Sequence, residues 1–277
     1  MKFKYIFKLT LPIFVSMSLL AQDRQFLYTY QSLTLPKGAK DIEIWNTFRT
    51  GRDYFYNRLD QRLEYEVGLT DRLQTALYLN GEHKAYASHL DTLGGIKDTA
   101  SSGIFSESGF SFSSEWKLRL SDPVANALGS ALYAEITLGP TEAEIEGKLI
   151  FDKKAGKNII ALNLVGEYEM GFDVKKGELE VEKELKLEAD LSYMRMLKPN
   201  VGLGLEMRNH NVSVDGKMEH SALFGGPTLF YGVDKFFIIL NAMPQLVNLQ
   251  VNDANPNSLD LNEYEKLQVR LMIGFSF

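Results

Sequence analysis

The sequence predicts an all-β fold, namely a transmembrane antiparallel up-and-down β-barrel of about 12 strands that follows an N-terminal signal peptide. Hydrophobic and polar residues alternate with a period of two along many segments, which is the pattern of a strand and not of a helix. These segments run about 10–15 residues, whereas strands of globular sheets usually have about 5–6. Residues 1–21 have the layout of a secretion signal. The chain has no cysteine, which excludes disulfide scaffolds, thiolate zinc sites and thiol nucleophiles.

The N-terminus predicts export. Lys2, Lys4 and Lys8 precede an apolar stretch over 9–20, and the small Ala21 comes before polar residues. The apolar stretch is short for a membrane-spanning helix, so we expect a signal peptide over 1–21, with an uncleaved anchor as the alternative. Loss of its three lysines changes the net charge from −6 to −9, which disfavours a nucleic-acid partner. Residues 22–39 are expected to form a periplasmic N-terminal segment, or a partial plug.

The alternation predicts twelve strands within a barrel domain over 40–277. The number is even, as in bacterial single-chain barrels. The expected strands are roughly 40–50, 59–70, 72–81, 106–120, 126–139, 142–152, 158–170, 179–193, 200–210, 220–231, 235–246 and 265–277. In the eleventh of them five apolar residues follow one another over 236–240, which suggests that inward side chains there meet a plug or an apolar cluster in the lumen.

The last strand is the most regular. Its apolar face consists of Leu267, Val269, Leu271, Ile273, Phe275 and Phe277. About 11 residues at roughly 3.3 Å each, tilted by about 40°, rise close to 28 Å, near the apolar height of an outer-membrane barrel. The segment resembles the C-terminal strand of bacterial outer-membrane barrels. That resemblance implies recognition of Phe277 by the barrel-assembly machinery.

The links between the strands predict the orientation. If both chain ends lie in the periplasm, the links at 70–72, 121–125, 153–157, 197–199 and 232–234 are periplasmic turns, and all five are short and rich in turn residues. The alternate links include 82–105, 211–219 and 247–264, which are longer, as extracellular loops usually are. The short link at 139–141 is the exception.

Several stretches carry a family resemblance. They read SLTLPKGAKDIEIW, EYEVGLTDRLQTALYL, ALYAEITLGP and LFGGPTLFY. Together they resemble a largely uncharacterised, transporter-like group of outer-membrane barrels from Bacteroidota, some of which are connected with the degradation of aromatic compounds. The resemblance implies a barrel in the cell outer membrane, in contact with its lipid and lipopolysaccharide. It brings no catalytic or ligand motif.

The inward positions of the expected strands carry most of the charge. The candidate lumen-lining acids are Glu64, Glu66, Glu115, Glu135, Glu144, Glu146, Glu167, Glu169 and Glu184, and the candidate lumen-lining bases are Arg119, Lys148, Arg208 and Arg270. The excess of acids predicts a preference for cations or neutral polar solutes over anions. An interior that is salt-bridged and occluded, and merely fills the barrel, is the alternative reading of the same residues.

These features favour a passive channel or transporter for small solutes. The alternative is a structural or surface-interaction barrel whose loops 82–105 and 247–264 act outside the cell. A lipid-modifying enzyme is a third hypothesis, since the chain has four histidines and His220 precedes Ser221, but neighbouring strand residues point to opposite faces. We therefore predict no enzymatic activity, no catalytic residue, no metal site and no cofactor.

Overall fold

A computed structural model describes residues 24–87, 103–175, 177–252 and 255–277. They form a closed antiparallel barrel, which confirms the predicted fold class. Its strands are β1 (Lys40–Thr50), β2 (Tyr56–Gly68), β3 (Leu73–Ala87), β4 (Ile104–Ser121), β5 (Gly129–Leu138), β6 (Glu142–Ala155), β7 (Asn158–Lys175), β8 (Glu178–Lys198), β9 (Val201–Val214), β10 (Lys217–Val233), β11 (Phe236–Asn248) and β12 (Leu267–Ser276). No helix among the described residues is long and apolar enough to cross a membrane.

The sheet closes between its first and last strands. Neighbours in the barrel are also neighbours in the sequence, except that β1 pairs with β12, with Asp41 opposite Ser276 and Thr50 opposite Leu267. Closure removes the two sheet edges, so the backbone N–H and C=O groups of every strand find partners on both sides. In hydrocarbon this pairing is required, because no water is present to replace a missing strand.

The two faces of the sheet differ as the alternation predicts. Outward side chains are apolar and exposed, among them Leu77, Leu132 and Leu205 at 61%, 44% and 59%. Inward side chains on the same strands are polar and buried; Gln74 and Glu206, for example, are inaccessible to solvent. The barrel therefore has a polar interior and an apolar outer wall, the reverse of a water-soluble barrel.

The links differ between the two ends of the barrel. The links β2–β3, β4–β5, β6–β7, β8–β9 and β10–β11 define what we call the turn side, and the other end is the loop side. The prediction of a long loop over 211–219 is wrong. β9 and β10 instead meet in a two-residue turn at Asp215 and Gly216, whose φ angles are 50° and 76°. The segment is polar enough to suggest a loop, but its alternation continues through the rim of the barrel. Two-residue hairpins require such positive φ angles.

Other expectations at the loop side are changed only in extent. β3 continues to Ala87 and β4 begins at Ile104, so the expected loop 82–105 shortens, and most of it lies outside the described residues. The signal peptide at 1–21 also lies outside them.

The interior is filled at the turn side by the chain segment that precedes β1. Residues 24–35, which we call the plug, are nearly all buried inside the barrel. Phe26 and Leu27 pack with Phe237, Ile239 and Met272 in one apolar cluster. The run of apolar residues in β11 thus has its physical reason, since the inward side chains of that run contact the plug. The plug part of the segment before β1 therefore lies in the lumen.

Candidate functional site

One carboxylate on the barrel wall binds the backbone of the plug. The N–H groups of Leu27, Tyr28 and Thr29 donate to the two oxygens of Glu206, at 3.0, 2.7 and 3.2 Å. The hydroxyl of Thr228 donates to the same carboxylate at 2.7 Å. Successive N–H groups that point to one anion form a site of the kind that binds phosphate in other proteins. Glu206 is inaccessible to solvent, so water does not compete for these charge-assisted hydrogen bonds.

Two amide side chains continue the attachment. The N–H of Tyr30 donates to Asn163 Oδ1 at 2.6 Å, and Asn163 Nδ2 donates to the carbonyl of Tyr30 at 3.0 Å, so the amide imitates a neighbouring strand. Nearer to β1, the N–H of Leu35 donates to Gln74 Oε1 at 2.9 Å. The plug has no regular partner strand, and inward side chains supply the hydrogen bonds that a buried backbone needs.

The first described residue of the plug is a buried arginine. The guanidinium of Arg24 lies over the rings of Tyr30 and Trp45, with 4.1 and 4.7 Å to their centroids. Its nitrogens are 4.0 Å from Glu43 and 3.8 Å from Glu66. Arg24 thus attaches the plug to β1 and β2 through stacking and through charge.

A cavity of about 690 Å³ occupies the lumen on the loop side of the plug. Leu27, Tyr28 and Tyr30 of the plug contribute to its lining. We call this cavity the vestibule. Among the described residues, the plug forms the turn-side boundary of the vestibule.

Charged side chains dominate the lining of the vestibule. Among the described residues, the lining acids are Asp60, Glu82, Glu107, Glu135, Glu142, Glu144, Glu146, Glu167, Glu188, Asp190, Glu263 and Glu265. The lining bases are Arg49, Arg52, Arg58, Arg62, Lys84, Lys148, Lys186, Arg208 and Arg270. The lining acids outnumber the lining bases, but the excess is smaller than among the candidate lumen-lining residues that the sequence predicts.

The acids and bases of the vestibule are extensively paired. Lys186 Nζ lies 2.8 Å from Glu167, and Lys148 Nζ lies 3.0 Å from Glu146. Arg208 forms a two-pronged contact with Glu188. These pairs fix the orientation of long side chains, and they reduce the net electric field inside the vestibule.

Arg270 has a different environment. Its Nε donates to Thr47 Oγ1 at 2.7 Å and its Nη1 to the carbonyl of Leu27 at 3.3 Å, and its guanidinium lies 4.0 Å from the centroid of the Tyr28 ring. None of the ion pairs among the described residues includes Arg270. It therefore joins β12 to the plug without neutralising an acid.

The loop between β11 and β12 turns into the mouth of the vestibule. Asp260 is buried, and His220 Nδ1 lies 2.7 Å from its Oδ2. The ring of Tyr264 packs edge-to-face against His210, His220 and Phe224. Burial by itself raises the pKa of Asp260, but the hydrogen bond and the charge of His220 outweigh burial and leave that pKa below its usual value. A carboxylate on the loop is thus held in its charged form.

The predicted lumen residues fall into three places. Those that line the vestibule are Glu135, Glu144, Glu146, Lys148, Glu167, Arg208 and Arg270. Those that are inaccessible beside Arg24, outside the vestibule lining, are Glu64, Glu66 and Glu115. The other three are dispersed. Arg119 contacts Asp71 and Asp122 in the turns, and Glu169 pairs with Lys186. Glu184 lies opposite Val214 of β9, near the loop-side end.

The histidines do not form a catalytic triad in the described part of the chain. His220 contacts Asp260, while Ser221 donates to Asn211, so the neighbours in sequence serve different partners. A different pair lies on the outer wall, where His83 Nδ1 is 2.9 Å from Ser108 Oγ. No described residue forms a hydrogen bond with the other ring nitrogen of His83, so the pair lacks the orienting group that a serine nucleophile requires.

Sequence reasoning allowed a partial plug over 22–39 but did not identify the residues by which it contacts the wall. Arg24, Tyr28 and Tyr30 precede the first strand and follow no alternating pattern. The available signal was on the wall, where Trp45 and Tyr133 are large aromatic residues at inward positions and both are buried. Aromatic side chains at lumen positions need a partner, and here the partner is the plug.

Comparisons with known proteins agree with this architecture. A family model with the description "Family of unknown function (DUF6662)" matches residues 18–277. No curated protein matches the chain. Among solved structures, the COG4313 outer membrane channel from Pseudomonas putida F1 is similar with a TM-score of 0.63 and 15% identity, over 89% of this chain and 98% of that one.

Two porins are similar as well. The NanC porin aligns with a TM-score of 0.50 and 7% identity, over 84% of this chain and 98% of its own. The KdgM porin, solved in complex with disordered oligogalacturonate, aligns with a TM-score of 0.50 and 9% identity, over 86% of this chain and 99% of its own. Identities this low establish the shared barrel fold and no more.

Proposed function

This chain belongs to the DUF6662 family, whose function is unknown, and we propose that it is a passive outer-membrane channel for small polar or cationic solutes. The observation that carries the proposal is a charged cavity of about 690 Å³ enclosed by a wall whose outer face is apolar. A barrel with apolar side chains outside and a wet, polar lumen is the architecture of membrane channels. The outer membrane channels with the same fold support this role and this location.

The excess of lining acids supports the choice of solute. Acidic side chains around a narrow passage lower the energy of a cation there and raise that of an anion. Because many of these acids are paired with arginine or lysine, as Glu167 is with Lys186, we propose a moderate preference for cations and no complete exclusion of anions.

The plug sets the conductance in this proposal. Residues 24–35 close the turn side of the lumen, so a solute in the vestibule crosses only when the plug shifts or leaves. The hydrogen bonds from Leu27, Tyr28 and Thr29 to Glu206 hold the closed state. We therefore propose a channel that is closed most of the time and opens by movement of the plug.

Planar-bilayer recordings test the proposal directly. The refolded wild-type protein is compared with a variant that lacks residues 24–35. We expect brief, infrequent openings in the wild type, sustained current in the variant, and a reversal potential under a salt gradient that shows cation preference. If neither protein conducts although both migrate as folded barrels, the channel function is wrong.

A surface-interaction role for the loops is the alternative. In the described part of the loop between β11 and β12, Asp260 and Tyr264 are buried in the mouth of the barrel and do not project outward. That placement favours control of access to the vestibule over binding of an external partner. Removal of the contacts between this loop and the mouth of the barrel should therefore change the conductance more than it changes the binding of any external partner.

We also propose the partners that the apolar wall and the last strand imply. The exposed outward residues contact membrane lipid and lipopolysaccharide, and the strand ending at Phe277 is the segment that the barrel-assembly machinery recognises. Phe277 pairs with Lys40 in both directions, at 2.9 and 3.2 Å, so the recognised strand also closes the barrel. Phe277→Ala should reduce the amount of heat-resistant barrel in outer-membrane fractions, and an unchanged amount would contradict this recognition.

A further inference from the structure

Exposed basic side chains surround the turn side of the barrel. They occur at four of the five turns there and in the segment between the plug and β1. The chain as a whole is acidic, with a net charge of −6, so composition alone does not explain this concentration of bases. We call these bases the basic rim, which consists of Lys37, Arg72, Lys154, Lys157, Arg195, Lys198 and Lys235.

The acids at the same end do not neutralise the basic rim. No ion pair among the described residues includes any member of the rim. The exposed carboxylates nearby are those of Asp71, Asp234 and the last residue, Phe277, so the bases are in excess. The other acids at this end are paired or buried on the inward face, namely Asp122, Asp41 and Asp152.

The basic rim begins where the apolar outer wall ends. Tyr193 is exposed on the outward face near the turn-side end of β8, and Arg195 is the next outward residue of the same strand. Lys235 precedes Phe236, whose ring centroid lies 5.3 Å from that of Phe275. Girdles of aromatic side chains mark the two interfaces of an outer-membrane barrel. The bases directly beyond these rings therefore lie at the depth of the lipid headgroups.

Two neighbouring turns form the densest part of the rim. Lys154 and Lys157 flank the β6–β7 turn, and Arg195 and Lys198 lie at the β8–β9 turn. The N–H of Met196 donates to the carbonyl of Lys157 at 2.8 Å, so the two turns are held side by side. Neither turn contains an acid. Arginine and lysine side chains grouped in this way suit the phosphate group, which accepts charge-assisted hydrogen bonds from both.

We propose that the basic rim binds the phosphate headgroups of anionic phospholipids in the membrane leaflet at the turn side. A lipid contacts both surfaces at once, with its acyl chains against outward residues such as Leu191 and its phosphate beside Arg195. A soluble anion contacts the bases alone, so the position of the rim beside the apolar wall favours the lipid. Each base near a membrane surface adds to the attraction for anionic headgroups.

The opposite end of β8 carries the opposite charge. Glu178, Glu180 and Glu182 are exposed at its loop-side end. Acidic side chains repel anionic headgroups, so the preference for anionic lipid is confined to the turn side. The difference between the two ends provides an internal control.

Quenching by brominated lipid measures which lipid lies against a chosen place on the wall. Two single-tryptophan reporters are built in a chain that carries Trp45→Phe and Trp116→Phe. Tyr193→Trp reports on the basic rim, and Tyr168→Trp reports on the wall of β7 toward the loop side. The two tyrosines are 42% and 39% exposed on the outward face, so each substitution replaces one lipid-facing ring by another.

The reporters are refolded into phosphatidylcholine vesicles that contain acyl-brominated phosphatidylglycerol or acyl-brominated phosphatidylcholine at equal mole fraction. At Tyr193→Trp we expect phosphatidylglycerol to associate at least about fivefold more tightly, which is the preference that one base near a membrane surface gives. At Tyr168→Trp we expect no preference. Salt of about 1 M shortens the Debye length to about 3 Å and should reduce the preference at Tyr193→Trp, a test that needs no further variant.

Removal of charge from the rim completes the experiment. In the Tyr193→Trp reporter, one combined variant neutralises three lysines of the rim and should reduce the preference by about threefold or more: Lys154→Gln, Lys157→Gln and Lys198→Gln. A matched control removes the same charge from exposed loop-side positions and should leave the preference unchanged: Lys183→Gln, Lys217→Gln and Lys266→Gln. Both combined variants change only exposed side chains.

The possible failures are distinguishable. Equal quenching of Tyr193→Trp by the two brominated lipids would overturn the proposal and leave a soluble anion as the occupant of the rim. A preference that survives loss of the three rim lysines, or that falls equally in the loop-side control, would overturn it as well. The proposal rests on the membrane placement of the apolar wall and not on conduction, so a barrel that carries no current leaves it intact. Absence of quenching by either lipid would contradict the membrane placement and this proposal with it.

Discussion

The contact between Glu206 and the plug allows the closed state to be tested with one substitution. Glu206→Gln keeps the shape of the side chain but replaces one acceptor oxygen by an amide NH₂. In the wild type one oxygen accepts from Leu27 and Thr228, and the other from Tyr28 and Thr29. The NH₂ group of the variant fits best at the first of these oxygens, where it repels the N–H of Leu27 but can donate to the hydroxyl of Thr228, so the plug loses at least one of its three bonds to this side chain.

The magnitude follows from the strength of such bonds. A hydrogen bond to a charged group contributes about 1.5–3 kcal/mol, so the loss of one plug bond costs the closed state about that amount. Each 1.4 kcal/mol is a factor of ten, and we expect the ratio of open to closed channels to rise about 10- to 100-fold. The three backbone N–H groups remain in the variant, so the plug is weakened and not removed.

Single-channel recording measures this ratio as open probability. Glu144→Gln is the matched control, because Glu144 lines the vestibule and is part of no hydrogen bond to the plug among the described residues. We expect its open probability to equal that of the wild type. An unchanged open probability in Glu206→Gln, or a wild type that is already fully open, would refute the view that these bonds keep the lumen closed.

Three further perturbations test other parts of the structure. Leu164→Lys places a charge on the lipid-facing wall in the middle of β7 and should lower the unfolding free energy in lipid vesicles by about 2–4 kcal/mol. Val174→Lys, on the same face at the loop-side end of β7, should lower it by only about 0–1 kcal/mol. Equal losses of unfolding free energy would argue against an apolar belt that faces the membrane. Arg24→Ala should destabilise the barrel by about 3 kcal/mol in heat-modifiability assays, because it leaves buried acids without their base, and a smaller effect than that of a surface substitution would contradict this role. Because the pKa of Asp260 is lowered in the folded state, its contact with His220 stabilises the loop above an unfolded pKa of about 3.9, and this stability is lost as the pH falls through the lowered value. Asp260→Asn should therefore increase proteolytic cleavage within 255–266 at neutral pH. Equal cleavage rates in wild type and variant would contradict a stabilising role of this contact.

The barrel could be predicted because its cause is local. Every strand must present apolar residues to lipid and polar residues to the lumen, so alternation along the chain reports the fold residue by residue. The same alternation predicted the inward positions of vestibule acids such as Glu135, Glu144 and Glu167. The prediction of a long loop over 211–219 is wrong because the polar composition of this segment suggests a loop, whereas β9 and β10 continue there past the apolar belt.

The sequence allows a partial plug over 22–39, but the contacts of the plug could not be predicted because their cause is not local. Residues 24–35 have no period, and the hydrogen bonds of their backbone come from side chains far away in sequence, such as Asn163 and Glu206. The plug in turn decides which acids meet water. Glu64 and Glu144 both point inward, yet Glu64 lies toward the turn-side end of β2 and is sealed beside Arg24, whereas Glu144 lies near the loop-side end of β6 and lines the vestibule.

The two tryptophans offer the most direct measurement of the central claim, which is that the apolar face meets lipid and that the plugged interior excludes both lipid and bulk water. Trp116 is 49% exposed on the outer wall, and Trp45 is 5% exposed beside the plug. In vesicles with acyl-brominated lipid, we expect strong quenching of the fluorescence of Trp45→Phe, which retains only Trp116, and little quenching of Trp116→Phe by brominated lipid or by iodide. Equal quenching of both variants by brominated lipid would contradict the orientation of the wall, and strong iodide quenching of Trp45 would contradict a closed lumen.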